Sequence, residues 1–324
     1  MSNEIQIQGI TQGDMSLTLI TPGKGAPAGL DSLLTYMDDK RDLLKELLHI
    51  QGGLLLRGFD IQRNEDFQSV RDRFAGLSNF SYRDGNSPRT KLSAGIYTST
   101  EYPKEYRITL HNELSYSSKW PAYILFYCHI PAVEGGETTL ADGRKLLQRL
   151  DASLVNKFRE FGVRYTRFMN GNAAIGKSWV STFETSDRDS IENYCRENDI
   201  EFRWEKDALY LAQMGPGVVR HPLTGEEVWF NQANQFHPSS LPEEEYKGLQ
   251  LLFSQKKCRY PHYAYYGNGE EISEEDLKKI TEIQESQAFK LKWHKGDIAI
   301  LDNVLTAHGR MPFKGERKIY VSMC

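Results

Sequence analysis

Cysteine is sparse in this chain, and its four copies, Cys128, Cys195, Cys258 and Cys324, lie far apart with no C-x-x-C pair. That spacing offers neither a zinc knuckle nor a disulfide framework, so the thiols read as buried or incidental. Also missing is any apolar run near the roughly 20 residues that a membrane span needs. The opening MSNEIQIQGITQGD lacks a basic stretch followed by an apolar one, the mark of a secretory leader. These absences predict a cytoplasmic protein with no membrane partner. A strong excess of one charge is absent too. The net charge is -4 with acids and bases interspersed, which leaves no basic face for nucleic acid. Repeats, low-complexity tracts and long Pro/Gly/Ser linkers are lacking as well.

What is present is an ordinary globular composition, 39% hydrophobic over 324 residues, enough to bury a full core. We expect one domain over 1–324, with residues 165–210 as a possible lid or insert. DDKRDLLKELLHI carries Leu43, Leu44, Leu47 and Leu48 at helical spacing and stops at Gly52-Gly53. LLLRGFDI reads as a strand, and NEDFQSVRDRFAGL as a second helix with Asn64 as its N-cap. From Tyr106 onward short β-rich runs dominate (YRITLH, AYILFYCHI, VRYTRFM, VVRHP, EVWFNQ, KLKWHKGDIAILDN, KIYVSM). Helices interrupt them at LLQRL with LVNKFREF, DRDSIENYCREN, LPEEEYKGLQLLFSQ and SEEDLKKITEIQES. Many short strands with helices around them predict a mainly β fold with flanking helices, built on a double-stranded β-helix, or jelly roll.

The chemistry begins at His111-Asn112-Glu113, at the end of a predicted strand. Residues i and i+2 of a strand project to one face, so His111 and Glu113 can offer an imidazole and a carboxylate to one ion. The pair alone decides little: with 8 His and 44 acids, about one His-x-acid pair is expected by chance. His308, far downstream in ILDNVLTAHGRMPFKGERKIYVSM, supplies the second histidine of a two-histidine, one-carboxylate face. Three ligands on one side of a metal leave the remaining positions open.

Together with its surroundings this pattern resembles the TauD/TfdA family of iron(II)/2-oxoglutarate dioxygenases. The likeness runs from about Gly52 to Met323 in ordered blocks: HNE at 111–113, WPAY and PAVEGGETTLADGRK at 120–145, HPLTGEEVWFNQ at 221–232, KGDIAILDN at 295–303, and AHGR with GERK near the end. SPRTKLSAGIYTSTEYP and HNELSY narrow it to an amino-acid-modifying branch tied to peptide natural products, of the syringomycin aspartyl hydroxylase kind.

The resemblance implies iron(II) held by His111, Glu113 and His308, with 2-oxoglutarate as cosubstrate and O2 as oxidant. Glu113 stands where many relatives have Asp. In the related halogenases a small residue there leaves room for chloride, so a carboxylate argues against halogenation. The resemblance places the cosubstrate's distal carboxylate on Thr138, directly after the Gly-Gly-acid turn, and on Arg317, with Arg310 as the alternative. Thr139 is the competing neighbour, and strand alternation points only one of the two inward. Arg107, four residues before His111, and Asn231, with Trp229 beside it, are candidate substrate contacts. The glycine-rich stretch 169–179, MNGNAAIGKSW, reads as a lid loop. The implied substrate is an amino acid or small peptide, free or tethered to a peptidyl carrier protein. It undergoes hydroxylation, or desaturation or epoxidation. The competing readings are a catabolic dioxygenase of a small sulfonate or carboxylate, and a non-catalytic jelly-roll binding protein.

Overall fold

A computed structural model of the chain describes residues 5–76, 89–93, 95–99, 102–172, 176–253 and 256–324. Two β-sheets form its centre. The larger runs, in spatial order, Ile5–Gln12, Met15–Pro22, Gly53–Leu56, Ile298–Asp302, Tyr123–Ile130, Lys318–Met323, Ile96–Thr98 and Lys91–Ser93. The smaller runs Phe289–Leu291, Thr138–Asp142, Thr306–Arg310 and Ile108–His111. Apart from the parallel pair Met15–Pro22 with Gly53–Leu56, neighbours in both sheets are antiparallel. This is the jelly roll that the strand pattern predicts, and the segments around the predicted ligands belong to its smaller sheet.

The central strands of the large sheet, Gly53–Leu56, Tyr123–Ile130 and Ile298–Asp302, are apolar on both faces, which explains why they read as continuous runs and not as alternating ones. Leu55, Phe126, Ala299 and Leu301 join Leu140, Leu291 and Val321 in a single cluster. Their neighbours Leu54, Leu56, Leu125, Tyr127, Ile298 and Ile300 belong to a second cluster with residues of three helices, Leu30–Asp39, Arg41–Gln51 and Asn64–Ala75. Those helices contribute Leu33, Met37, Leu44, Leu48, Phe67 and Val70, spaced three or four apart so that one stripe is buried. Each such leucine contributes about 1.5–3 kcal/mol by leaving water, so the helical cover holds the large sheet firmly in place.

Several local details differ from expectation, each for a physical reason. The expected helix at 38–50 is two helices, broken at Lys40. Gly52 ends the second in the left-handed conformation, its N–H bonded to the Leu48 carbonyl at 2.7 Å. At the next helix Arg63, not Asn64, occupies the cap position. There Asp66, three residues on, accepts the backbone N–H groups of Gln62 and Arg63 at 3.1 and 3.0 Å. The strand LLLRGFDI ends at Leu56, because Arg57 turns away to pair with Asp297 at 2.6 Å.

The N-terminal hairpin was not expected, nor were Glu201–Glu205, Ala208–Gly215 and His262–Tyr266, which with Val163–Met169 make a further four-stranded sheet. Within 165–210, Met169, Trp179, Ile191, Cys195 and Leu209 form a separate cluster with Leu211 just beyond. In the stretch 169–179, residues 173–175 lie outside the described ones. Its far end is tied down, Trp179 donating to the carbonyls of Asn170 and Asp207. Among the described residues no helix is long and apolar enough to cross a membrane.

Candidate metal centre

Strand pairing brings the two predicted histidines together. His308 lies directly across the ladder from His111, and their rings sit 4.4 Å apart between centroids. Directly opposed residues on antiparallel strands keep their Cβ atoms about 4.5–5.5 Å apart, so this register alone brings two of the three predicted ligands together. Glu113 arrives differently. The strand ends at His111, and a turn follows in which Ser115 N–H bonds to the Asn112 carbonyl and Leu114 adopts φ +57°. The turn, rather than strand alternation, carries the carboxylate back to the histidines. Ligand atoms of His111, Glu113 and His308 then all lie within 4.8 Å of one another, the one such group of three among the described residues.

That turn is held by an amide scaffold. Asn303 accepts the Glu113 N–H at 2.8 Å and donates to the carbonyls of Glu113 and Pro121. Asn112 donates to the carbonyls of Asn303 and Val304, while the Gln232 amide donates to the Asn112 carbonyl at 2.6 Å. Asp302 accepts the N–H groups of Val304 and Leu305 and meets His221 Nε2 at 3.0 Å. The sequence blocks around 221–232 and 295–303 therefore meet behind the ligand turn and fix its backbone.

All three ligands are buried. Burial lowers the His111 pKa against the opposing pull of Glu113, and holds His308 well below the imidazole range, with His111 and Arg89 adding to the effect. Both rings are thus neutral and available as donors. The Thr109 carbonyl lies 2.8 Å from His111 Nδ1, which places the ring proton there and leaves Nε2 for a metal. Two neutral imidazoles and one monodentate carboxylate on one side suit a divalent transition metal with open positions.

The same cavity is lined by Arg89, His111, Thr138, His308, Arg310 and Arg317. Thr138 faces it and Thr139 does not. The Thr138 hydroxyl receives a hydrogen bond from Trp293 Nε1 at 2.9 Å and lies 3.4 Å from Arg317, whose Nε donates to the Gly136 carbonyl. Burial pushes the Arg317 pKa down to about 10, with Arg310 adding to the effect. A guanidinium held at that disadvantage, with no carboxylate in ion-pair contact among the described residues, is a site for an anion. Arg310 is placed otherwise: its terminal nitrogens donate to the carbonyls of Tyr102, Pro103 and Tyr106. An open cleft of about 810 Å³ lies elsewhere, lined in part by His49, Asp142, Arg144 and Glu226. There Arg144 is already paired with Asp142 and Glu226, and the ligand group is not part of it.

The expected substrate contacts lie outside the cavity. Arg107 precedes the strand Ile108–His111 instead of sitting within it, and forms a half-exposed ion pair with Glu285. Asn231 spends both ends of its amide locally, donating to the Gly217 carbonyl and accepting from Ala233 N–H. Trp229 packs on Phe158, their rings 4.7 Å apart. Sequence reasoning missed Arg89, whose guanidinium meets the Glu113 carboxylate at 2.6 Å with both side chains buried. Its signal was present in SPRTKLSAGIYTSTEYP, which carries the narrower resemblance without an assigned role.

The fold and site define a class: a jelly roll holding a two-histidine, one-carboxylate metal face beside a part-buried arginine and a buried threonine. The chain belongs to the TauD/TfdA family, residues 18–323 matching the family described as taurine catabolism dioxygenase TauD, TfdA family. The match begins earlier than Gly52, because Met15–Pro22 pairs with Gly53–Leu56 and is part of the central sheet. The dapdiamide synthesis protein DdaC of Enterobacter agglomerans is 34% identical over 324 residues, 100% of this chain and 95% of that protein. A clavaminate synthase-like protein of Arabidopsis thaliana is 27% identical over 88% of this chain and 85% of its own length. Among solved structures, PvcB of Pseudomonas aeruginosa shares the fold at a TM-score of 0.55 and 16% identity, covering 100% of this chain and 92% of its own. The chain is thus a dioxygenase of this family, and its donor set fits iron(II) with 2-oxoglutarate as cosubstrate.

Proposed function

We propose that this oxygenase acts in natural-product biosynthesis, oxidising an amino-acid or small-peptide substrate, free or carried as a thioester on a peptidyl carrier protein. Hydroxylation is the default outcome, with desaturation or epoxidation reached by a different substrate pose. The observation that carries the reading is the part-buried Arg317–Thr138 pair on the same cavity as His111 and His308, whose donor atoms lie within 4.8 Å of a Glu113 oxygen. The likeness to a protein named for dapdiamide synthesis supports the biosynthetic setting.

In this reading His111, Glu113 and His308 hold iron(II), which supplies redox chemistry with O2 and 2-oxoglutarate when bound. Arg317 offers its fork to the distal carboxylate of 2-oxoglutarate, and the Thr138 hydroxyl donates a further hydrogen bond. Trp293 fixes that hydroxyl through its indole N–H. Thr109 sets the His111 tautomer, and Asn303 holds the backbone that aims Glu113. Phe126 packs edge-on against His308 at 5.2 Å and keeps water from one side of the ring.

The test is turnover: wild-type protein with iron(II), 2-oxoglutarate and O2, given a panel of amino acids free and carrier-loaded. Iron-dependent conversion of 2-oxoglutarate to succinate with one panel member is the expected result. No consumption with any member, free or tethered, contradicts the reading.

A further inference from the structure

Arg89 has no part in the scheme above. It lines the cavity, its side chain 4% exposed, and holds Glu113 Oε2 at 2.6 Å. That same oxygen lies 3.9 Å from His308 Nε2, so it is the oxygen facing the other ligands. A cation seated among the three ligands therefore competes with Arg89 for a single carboxylate oxygen. Binding of the metal takes over the charge that Arg89 now neutralises.

Placement points the same way. His111, Thr138, His308 and Arg310 sit on paired strands of the small sheet, which fixes their directions. Arg89 precedes the strand Lys91–Ser93 and lies outside any strand. Its planar fork matches a carboxylate, and a buried guanidinium that gives up one carboxylate is stabilised by another.

We propose that Arg89 anchors a carboxylate of the substrate, exchanging Glu113 for that group once the metal is in place. The substrate is then an acid, distinct from the cosubstrate, whose carboxylate lies next to the metal-binding face. Arg89 is the specificity-determining residue of the reaction. This rests on the iron and 2-oxoglutarate reading given above.

The test uses the full chain loaded anaerobically with iron(II) and 2-oxoglutarate, followed by the visible charge-transfer band of the chelate. The probes are N-acetylaspartate and N-acetylglutamate with their fully neutral diamides, and the α-linked N-acetylcysteamine thioesters of N-acetylaspartate and N-acetylglutamate with those of N-acetylasparagine and N-acetylglutamine as their neutral amides. Appearance of the band tests the cosubstrate reading independently of Arg89. For the wild type, an acid probe should perturb the band at a concentration roughly tenfold or more below its amide. Arg89→Gln should keep the band and lose that preference. Arg89→Lys should keep the preference with weaker binding, and it carries the test if Arg89→Gln does not fold. The proposal is overturned if no acid is preferred over its amide by the wild type, or if the preference survives in Arg89→Gln. It is equally overturned if Arg89→Gln weakens 2-oxoglutarate binding as strongly as Arg317→Gln, which would assign Arg89 to the cosubstrate.

Discussion

The two sides of the cavity are built from different material. On one side Thr138, His308 and Arg310 lie on neighbouring strands in fixed register, with His308 opposite both Leu140 and His111. On the other, Arg89 and the Tyr102–Tyr106 carbonyls that grip Arg310 belong to irregular chain. Strand pairing fixes side-chain direction to within the pleat, whereas a loop places a side chain only through its particular contacts. Strand pairing thus places His111, His308 and Thr138, whereas turns and loops place Glu113, Arg317 and Arg89.

Substitutions on the two sides should separate accordingly. The largest effect is expected at His308→Ala, which removes one of three ligands from a buried site; iron affinity measured by equilibrium titration should collapse, and 2-oxoglutarate consumption with it. Next comes Arg317→Gln. Truncating one partner of a buried charged pair costs about 2–5 kcal/mol, so 2-oxoglutarate should bind roughly 30-fold or more weaker while iron affinity holds. Arg310→Gln should leave 2-oxoglutarate affinity much closer to the wild type, because its terminal nitrogens serve the 102–106 backbone; an equal loss would exchange the roles of the two arginines.

Asn303 offers no atom to metal or cosubstrate, yet Asn303→Ala removes three hydrogen bonds around the Glu113 turn. Unfolding in urea should show a loss of about 2–4 kcal/mol, together with weaker iron binding. The smallest effect is expected at Arg107→Ala. Its pair with Glu285 is half-exposed, and such pairs contribute about 0–1 kcal/mol, so KM and kcat should stay within about twofold. A large rise in KM would return Arg107 to the substrate side.

Acid should unfold the protein through histidines away from the metal. Burial pushes His262 down to about 3 and His237 down to about 4. Each is depressed below its unfolded value near 6.5, so its contribution is fully present above that pH and is lost as pH falls toward the folded value. Between about pH 6 and 4 each of these groups should cost about 1.4 kcal/mol per pH unit. Chemical unfolding across that window checks the slope, and His262→Gln should flatten it.

Much of this arrangement was legible in the sequence, for reasons visible in particular residues. AYILFYCHI and IAIL read as strands because both their faces are buried, and the two-face burial is what the structure shows. Glu201–Glu205 was not legible: its burial alternates weakly and its residues are mostly charged or aromatic. The N-terminal hairpin had a usable signal in Gly13-Asp14, a two-residue turn with Gly13 at φ +60° between alternating runs. His111 and His308 were found by their place in ordered blocks, and the register explains why the two belong together. Arg89 was not found, since its role depends on an irregular segment folding back onto Glu113, a contact that no periodicity encodes.

The central claim is that one buried group holds iron and presents it to a chelating cosubstrate. Anaerobic titration of the wild type with iron(II) and 2-oxoglutarate tests it most directly. The account predicts a visible charge-transfer band that saturates at one iron per chain, is lost in His308→Ala, and needs far more 2-oxoglutarate in Arg317→Gln. A wild-type protein that shows no band at saturating concentrations, or a His308→Ala variant that keeps it, would contradict the assignment.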